Sequence, residues 1–161
     1  MRLRRARAAV LVILAAGGLA APAGAQDGSR PRAPVRAAQT GPPPLVMPPL
    51  VRLAGRPTSR GARIRLLEVF APPQATVTVR CRGRSCPYRQ RSKRATPIRI
   101  TFRGFRGRGL AAGTLVEVFV TAPGTIGKYT AFLVRRRRRP ARIDLCLYPA
   151  SAVPAGCPRG G

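Results

Sequence analysis

Hydrophobic and polar residues alternate along several short stretches of this chain, a period that is typical of strands with one buried face. The clearest stretch is 76–81, where Val77, Val79 and Cys81 share one face while threonine and arginine take the other. β-Branched residues on both faces favour extended structure over a helix. In a similar stretch, 98–103, the inward positions are Ile98, Ile100 and Phe102. We predict a strand at each place, with its apolar face toward a core.

The segment from Gly61 to Cys86 is the unit around which the chain is organised: a strand, a turn at two prolines and a second strand. Its first strand changes phase, because Ile64 and Leu66 alternate with arginines whereas Leu67 and Val69 continue in the opposite phase. A one-residue bulge produces such a change, and so does burial of both faces. We predict one of these two arrangements near Leu66.

A later segment repeats this first strand. Residues 66–70 read LLEVF and residues 115–119 read LVEVF, and a proline follows each at the same distance, at Pro72 and Pro123. One short echo does not prove duplication of a structural unit. It does indicate two strands of similar role in two sheets.

The remaining segments divide into strands and loops by the same criteria. Strands are predicted at 50–56 and 128–134, with a turn at 57–61 and a polar, basic loop at 87–96. Many short strands at regular spacing predict an all-β fold, an antiparallel immunoglobulin-like β-sandwich. A small β-barrel is the alternative. Because the chain has no tryptophan, the likeness to immunoglobulin domains rests on strand number alone.

The N-terminal part of the chain predicts export. Residues 1–25 combine a basic start, an apolar stretch and Ala-Gly-Ala, the three parts of a signal peptide, although an uncleaved membrane anchor is the alternative. Residues 26–49 are rich in proline and predict a disordered linker. The sandwich domain is predicted at 50–148 and a disulfide-pinned tail at 149–161. We expect a secreted, extracellular protein, with association to the cell wall as one form of this location.

Charge separates this chain from ordinary domains. It has 31 lysines and arginines against four acidic residues, a formal net charge of +27. A field of that sign attracts nucleic acid, anionic lipid headgroups, teichoic-acid-like polymers and acidic glycans. Arginine, alanine, glycine and proline are also the residues that a GC-rich genome favours, so compositional drift on a solvated surface is an equal alternative.

The four cysteines form two local pairs. An even number of cysteines in an exported chain indicates disulfides. Local pairing joins Cys81 to Cys86 and Cys146 to Cys157, and it requires no long-range contact between the two pairs. The alternatives are a four-thiolate zinc site, which these spacings fit poorly, and a redox dithiol, which has two residues between its cysteines. We predict two disulfides, no metal and no cofactor.

Catalysis lacks its usual residues. The chain has no histidine, which removes the commonest general base and metal ligand. The repeat offers one carboxylate pair, Glu68 and Glu117, that a wall-acting or carbohydrate-acting hydrolase would need in one cleft within about 10 Å. Cross-strand ion pairing with arginine is the stronger expectation for both. We therefore predict no enzyme and no small-molecule substrate, with the hydrolase as an alternative.

Arginine clusters are the candidate binding residues, because guanidinium groups bind phosphates through paired hydrogen bonds. A basic stretch at 89–94 belongs with them, and Tyr88 and Phe105 are the only aromatic residues among these basics, which provides little for base stacking. We expect an anionic cell-envelope polymer or lipid headgroups as partner, with nucleic acid as a non-specific second class. A purely structural module without a ligand is the alternative function. The oligomeric state is left open. The predicted polyanion-binding residues are Arg135, Arg136, Arg137, Arg138, Arg139, Arg103, Arg106 and Arg108.

Two segments resemble a known group of sequences. They are GARIRLLEVFAPPQATVTVRCRGRSCP and GTLVEVFVTAPGTIGKYTAFLVRRRRRPARIDLCL. They resemble a functionally uncharacterised family of arginine-rich secreted β domains from high-GC Gram-positive bacteria, in which the phrases APxxAxVTVRC and APGTIGKYT recur. The resemblance covers residues 61–149. It implies an extracellular location and a compact β module, and it carries no active site.

Overall fold

A computed structural model describes residues 41–45, 47–96, 98–149, 151 and 153–158. The predicted signal peptide and most of the predicted linker lie outside the described residues. Within them, no helix has the length and hydropathy needed to cross a membrane. The described chain contains one 3₁₀ turn, Arg103–Phe105. Its strands are β1 (Leu50–Thr58), β2 (Gly61–Phe70), β3 (Thr76–Arg82), β4 (Gln90–Arg94), β5 (Arg99–Thr101), β6 (Gly109–Ala111), β7 (Leu115–Thr121), β8 (Gly127–Arg135) and β9 (Arg138–Leu147).

The strands form two antiparallel sheets that pack face to face. The first sheet has the order β1-β2-β5, and β6 pairs with the same edge of β2 as β5 does, at its other end. The second sheet has five strands in the order β4-β3-β7-β8-β9. The sheets do not close on each other, so the predicted β-sandwich is confirmed and the barrel is not formed.

The core lies between the two sheets and consists mainly of aliphatic side chains. Val51, Leu67 and Val69 of the first sheet are fully buried, and so are Val79 and Val118 of the second. Each such side chain contributes about 1.5–3 kcal/mol relative to exposure. The predicted inward face of residues 76–81 is confirmed, since threonine and arginine occupy the outer positions of β3.

A β-bulge explains the change of phase in β2. Ala54 pairs with Leu66 and Gly55 pairs with Ile64, so Arg65 has no partner on β1. The predicted bulge is therefore confirmed, one residue before Leu66. Gly55 is required there, because a Cβ atom on it would lie 2.5 Å from the carbonyl oxygen of Arg63.

The repeated segments occupy equivalent places in the two sheets. β2 and β7 each have a neighbouring strand on both sides. Residues 66–70 and 115–119 have the same order of burial: half-buried at each end and buried at the three positions between. The prediction of similar roles in two sheets is confirmed.

Three sequence predictions differ from the structure. The predicted loop at 87–96 contains the edge strand β4, which pairs with β3 through polar side chains such as Thr78 and Ser92, whose hydroxyl oxygens are 2.8 Å apart. Ile98 is 51% exposed and precedes a strand of only three residues. The first strand continues through Thr58, so its turn is only two residues long.

Both ends of the described chain are attached to the sandwich. Within the predicted linker, the amide of Leu45 donates to the carbonyl of Ile126, so this part of the segment packs on the domain. The predicted disulfides are present, with Cα–Cα distances of 5.7 Å for Cys81–Cys86 and 4.9 Å for Cys146–Cys157. The second one ties down the tail. Two disulfides fit an extracellular protein.

Candidate anion-binding surface

The two ends of the sandwich differ in charge. Among the described residues, four segments at one end contain no charged residue: 71–75, 95–96 with 98, 122–126, and 148–149 with 151 and 153–158. The strands reverse at the opposite end through 59–60, 83–89, 112–114 and 136–137. We name this opposite end the arginine end and define it by Arg60, Arg84, Arg89 and Arg135–Arg139. All of these arginines are exposed.

Backbone hydrogen bonds join the two sheets at the arginine end. The amide of Arg137 donates to the carbonyl of Thr58 over 2.9 Å, which links the β8–β9 turn to the end of β1. The amide of Gly113, just after β6 of the first sheet, donates to the carbonyl of Val134 in β8 of the second sheet over 2.9 Å. Within the first sheet, the amide of Ala112 donates to the carbonyl of Arg60 over 2.8 Å. The basic turns are therefore held together by the fold itself.

The predicted run Arg135–Arg139 is an ordered hairpin tip. Arg135 pairs with Arg138, which leaves a two-residue turn at Arg136 and Arg137. The guanidinium of Arg135 donates to the carbonyl of Arg139 over 2.9 and 3.2 Å. Arg137 has a φ of 54°, a left-handed conformation that is unfavourable for a residue with a Cβ atom. The backbone that carries the five arginines therefore has one defined conformation.

The second predicted cluster, Arg103, Arg106 and Arg108, is anchored at a different place. It lies along the middle of β2, where the amide of Ile64 donates to the carbonyl of Arg108 over 2.8 Å. Arg103 and Arg106 line a shallow groove together with Arg65 and Arg99, and Arg103 also lines a neighbouring groove with Lys93 and Arg94. The first group is attached at Thr58 and the second at the centre of β2, so each has its own place on the fold.

Phe105 holds this second segment in place by packing inside the domain. Its ring is fully buried and meets the ring of Tyr88 edge to face at 5.3 Å. Burial raises the pKa of Tyr88 to about 12, against the opposing charge of Arg91. Neither ring is a free stacking platform of the kind that single-stranded nucleic acid uses.

The outer face of the first sheet carries a third basic group that the sequence analysis missed. Arg56 and Arg63 are direct cross-strand partners, and Arg52 lies on the same side of β1. Like charges placed directly opposite each other destabilise a sheet. The alternation of arginines with Ile64 was a visible signal for β2, but the pairing of Arg63 with Arg56 is set by the two-residue turn at 59–60, which the sequence analysis predicted as a longer turn at 57–61.

Three of the four acidic residues form ion pairs within the domain. Glu68 accepts a hydrogen bond from Arg99 on β5. Glu117 lies 3.1 Å from the Nε atom of Arg82 and accepts a hydrogen bond of 2.9 Å from the hydroxyl of Tyr129. The predicted cross-strand pairing of both glutamates is present.

The geometry gives no support to a pair of catalytic carboxylates. Glu68 lies between the core-facing residues 67 and 69 of the first sheet, and Glu117 between 116 and 118 of the second. Because side chains alternate along a strand, both glutamates point away from the shared core. They lie on opposite outer faces of the sandwich and share no cleft.

Asp144 is the third paired acid. Its carboxylate accepts hydrogen bonds from Arg142 at 2.6 and 3.0 Å and from the hydroxyl of Thr130 at 2.7 Å, and Lys128 lies 3.5 Å away. Burial tends to raise its pKa, but the hydrogen bonds and the two positive charges outweigh this effect and lower the pKa to about 2. Asp144 is therefore ionised throughout the physiological range.

The four cysteine sulfurs are used in disulfides, so none is a thiolate ligand of a zinc site. Among the described residues, no group of three or more histidine, cysteine, aspartate or glutamate side chains is arranged to hold a metal ion. Exposed guanidinium groups without a carboxylate partner are chemically suited to attract and hold anions.

Comparison of the chain with protein-family models, with curated proteins and with solved structures found no match.

Proposed function

We propose that this protein is a secreted, non-enzymatic module that binds a polyanion of the cell envelope at its arginine end. One observation carries the proposal. The acids of the described domain are already paired with internal cations, while the exposed arginines at one end have no carboxylate partner there. These arginines need counter-ions from outside the molecule.

The ordered hairpin favours binding over simple solvation. An arginine on a flexible loop loses side-chain and backbone freedom when it binds, whereas the Arg135–Arg139 tip has already lost its backbone freedom on folding. Each guanidinium offers a planar pair of donors that matches phosphate or carboxylate. A linear polymer with regular charges meets several of these groups at once.

The partner is an anionic polymer of the envelope in preference to nucleic acid. Two disulfides fit an extracellular location, where envelope polymers and lipid headgroups are the abundant polyanions. Phe105 is buried, and the Tyr88 ring packs against Phe105 with the guanidinium of Arg91 over it at 5.9 Å, so neither aromatic ring among the candidate arginines is free for stacking. Nucleic acid is then held by its phosphates alone, without sequence preference.

The experiment is a salt series with the full chain, isolated cell envelope and duplex DNA. We compare the wild type with a variant in which Arg135, Arg136, Arg137, Arg138 and Arg139 are changed to Gln. The matched control removes five exposed arginines elsewhere: Arg52, Arg56, Arg63, Arg91 and Arg94. Thermal unfolding of each variant checks that the domain remains folded.

We expect envelope binding to fall steeply with salt, and the tip variant to lose at least tenfold in affinity while the control loses much less. Equal loss in both variants would show that only total charge matters. Absence of binding to either polyanion at physiological salt would leave a purely structural module as the function.

A further inference from the structure

A cleft of about 520 Å³ opens between β1 and β9, the edge strands of the two sheets. Its floor is apolar and includes Leu53, Ala54, Phe132 and Pro140. Three arginines, Arg52, Arg65 and Arg139, stand among the residues around it. A volume of this size lies within the range of sites that hold small organic ligands.

The fold keeps this cleft open by joining β1 to the second sheet only near its two ends. Near the first end, the guanidinium of Arg142 donates to the carbonyl of Val51 over 3.0 Å. At the other end, the amide of Arg137 donates to the carbonyl of Thr58. Between these points β1 has no strand on its outer side.

The free edge of β1 adds backbone hydrogen-bonding groups to the cleft. Because the carbonyl of Val51 points outward to Arg142, the alternation of a strand also turns the amides and carbonyls of Leu53 and Gly55 outward. The cleft therefore offers an apolar floor and polar groups along one wall.

The arginines around the cleft are free to bind an anion. Arg142 is not, because Asp144 neutralises it and the Val51 carbonyl occupies one of its donors. Arg52, Arg65 and Arg139 are exposed, and no carboxylate among the described residues pairs with any of them. The cleft thus combines uncompensated positive charge with an apolar floor.

We infer that this cleft binds a single-chain anionic amphiphile, with the acyl or alkyl chain on the apolar floor and a phosphate or carboxylate headgroup on Arg52, Arg65 and Arg139. A small hydrophilic anion would leave the floor unused, and a neutral lipid would leave the arginines uncompensated. The cleft shares Arg139 with the arginine end, but Arg52, Arg65 and the apolar floor lie outside that end, so the inference does not rest on the polymer site.

The test uses the full chain with four probes below their aggregation concentrations: dodecyl phosphate, butyl phosphate, inorganic phosphate and dodecyltrimethylammonium. Affinities are measured by calorimetry, and the contacts are mapped by amide chemical shifts. We expect dodecyl phosphate to bind at least a hundredfold more tightly than butyl phosphate, because each buried methylene contributes about fourfold. The largest shifts should occur at Leu53, Ala54 and Phe132.

Two variants separate the headgroup from the chain. Arg52→Gln with Arg65→Gln should weaken dodecyl phosphate at least fivefold, whereas Arg91→Gln with Arg94→Gln, an equal loss of charge outside the cleft and the arginine end, should change it less than twofold. Leu53→Trp, on the same face of β1 as the core residue Val51, fills the floor and should abolish the advantage of the long chain, while Ala111→Trp on β6 should not. Arg139 is left unchanged, so that the polymer site stays complete.

Several results would overturn the inference. An affinity that does not depend on the length of the alkyl chain would show that the protein contacts the phosphate group alone. Equal loss of dodecyl phosphate affinity in the two charge variants would show that binding depends on net charge and not on the arginines around the cleft. Shifts centred on other residues would place the amphiphile elsewhere, and tight binding of dodecyltrimethylammonium would show that the headgroup charge is not recognised.

Discussion

Glu68 and Glu117 occupy equivalent positions in β2 and β7, and each is buried on an outer face of the sandwich beneath an arginine from a neighbouring strand. The repeated sequence motif therefore forms the same arrangement twice: a buried carboxylate covered by a guanidinium group. Neither arrangement faces the other, and neither opens to a cleft. Their first consequence is for stability.

Removal of the arginine should cost more than removal of the acid. Glu68→Gln should lower the free energy of unfolding by about 1 kcal/mol through the loss of one charged hydrogen bond. Arg99→Gln should cost about 2 kcal/mol, because it leaves the Glu68 carboxylate buried without a counter-charge. The second value is moderate because Arg99 is 64% exposed. Urea unfolding at pH 7 measures both, and an equal or reversed order would contradict this account.

Asp144 should make the domain sensitive to acid. Its pKa is lowered from 3.8 to about 2 in the folded state, so its ionised form stabilises the fold at every pH above about 4. This contribution is lost as the pH falls from about 4 through 2. Urea unfolding at pH 6, 4 and 2 measures the loss, and Asp144→Asn should flatten this part of the profile. An unchanged profile in the variant would assign the acid sensitivity to other groups.

Tyr88 and Tyr129 should respond in opposite ways to removal of the hydroxyl. The Tyr88 hydroxyl is buried without a hydrogen-bond partner among the described residues, so Tyr88→Phe should be neutral or stabilise by up to about 1 kcal/mol. The Tyr129 hydroxyl donates to Glu117, so Tyr129→Phe should destabilise by about 1 kcal/mol. Thermal or urea unfolding of the two variants in parallel checks the difference in sign.

The same tyrosines predict behaviour in alkali. Burial, with the neighbouring Glu117, raises the pKa of Tyr129 to about 12, and burial raises that of Tyr88 to the same value. Because the unfolded state ionises near 10, their contribution is complete below pH 10 and is lost as the pH rises toward 12. Stability should fall over this window, and the double Phe variant should fall less. A double variant with the wild-type slope would contradict the assignment.

The hairpin tip should gain stability from a residue that tolerates its backbone. Arg137 has a positive φ, so Arg137→Asn should raise the free energy of unfolding by about 0.5–1 kcal/mol. Arg136→Asn is the control, because Arg136 does not have a positive φ and should show no such gain. Chemical unfolding of the two variants measures this difference. A gain at both positions would point to relief of charge repulsion instead of backbone strain.

Sequence patterning predicted the strands that have one apolar face and failed where that face is absent. β2, β3, β7 and β8 pack on the core, and their alternation is visible in the sequence. β4 lies at a sheet edge and is polar on both faces, so nothing distinguished it from a loop. Ile98 followed the apolar phase of its neighbours, but the strand begins only after it.

The candidate sites depend on contacts between residues distant in sequence, which alternation does not report. The arginine run was visible, but its attachment to Thr58 joins two hairpins that are almost eighty residues apart. The cleft is formed by β1 and β9, the first and the last strand of the domain in sequence order. The opposition of Arg56 and Arg63 follows from the two-residue turn between β1 and β2, whereas the sequence analysis predicted a longer turn at 57–61.

The separation of charge between the two ends also decides how a tethered copy of this domain would be oriented. The chain enters beside Ile126 and its tail is fixed at Cys146, and both points lie at the end with uncharged loops. A surface or partner attached close to Leu45 or to Cys157 would therefore sit against the uncharged end. The arginines would then face outward, away from the point of attachment, where a polymer strand passing at a distance meets them first.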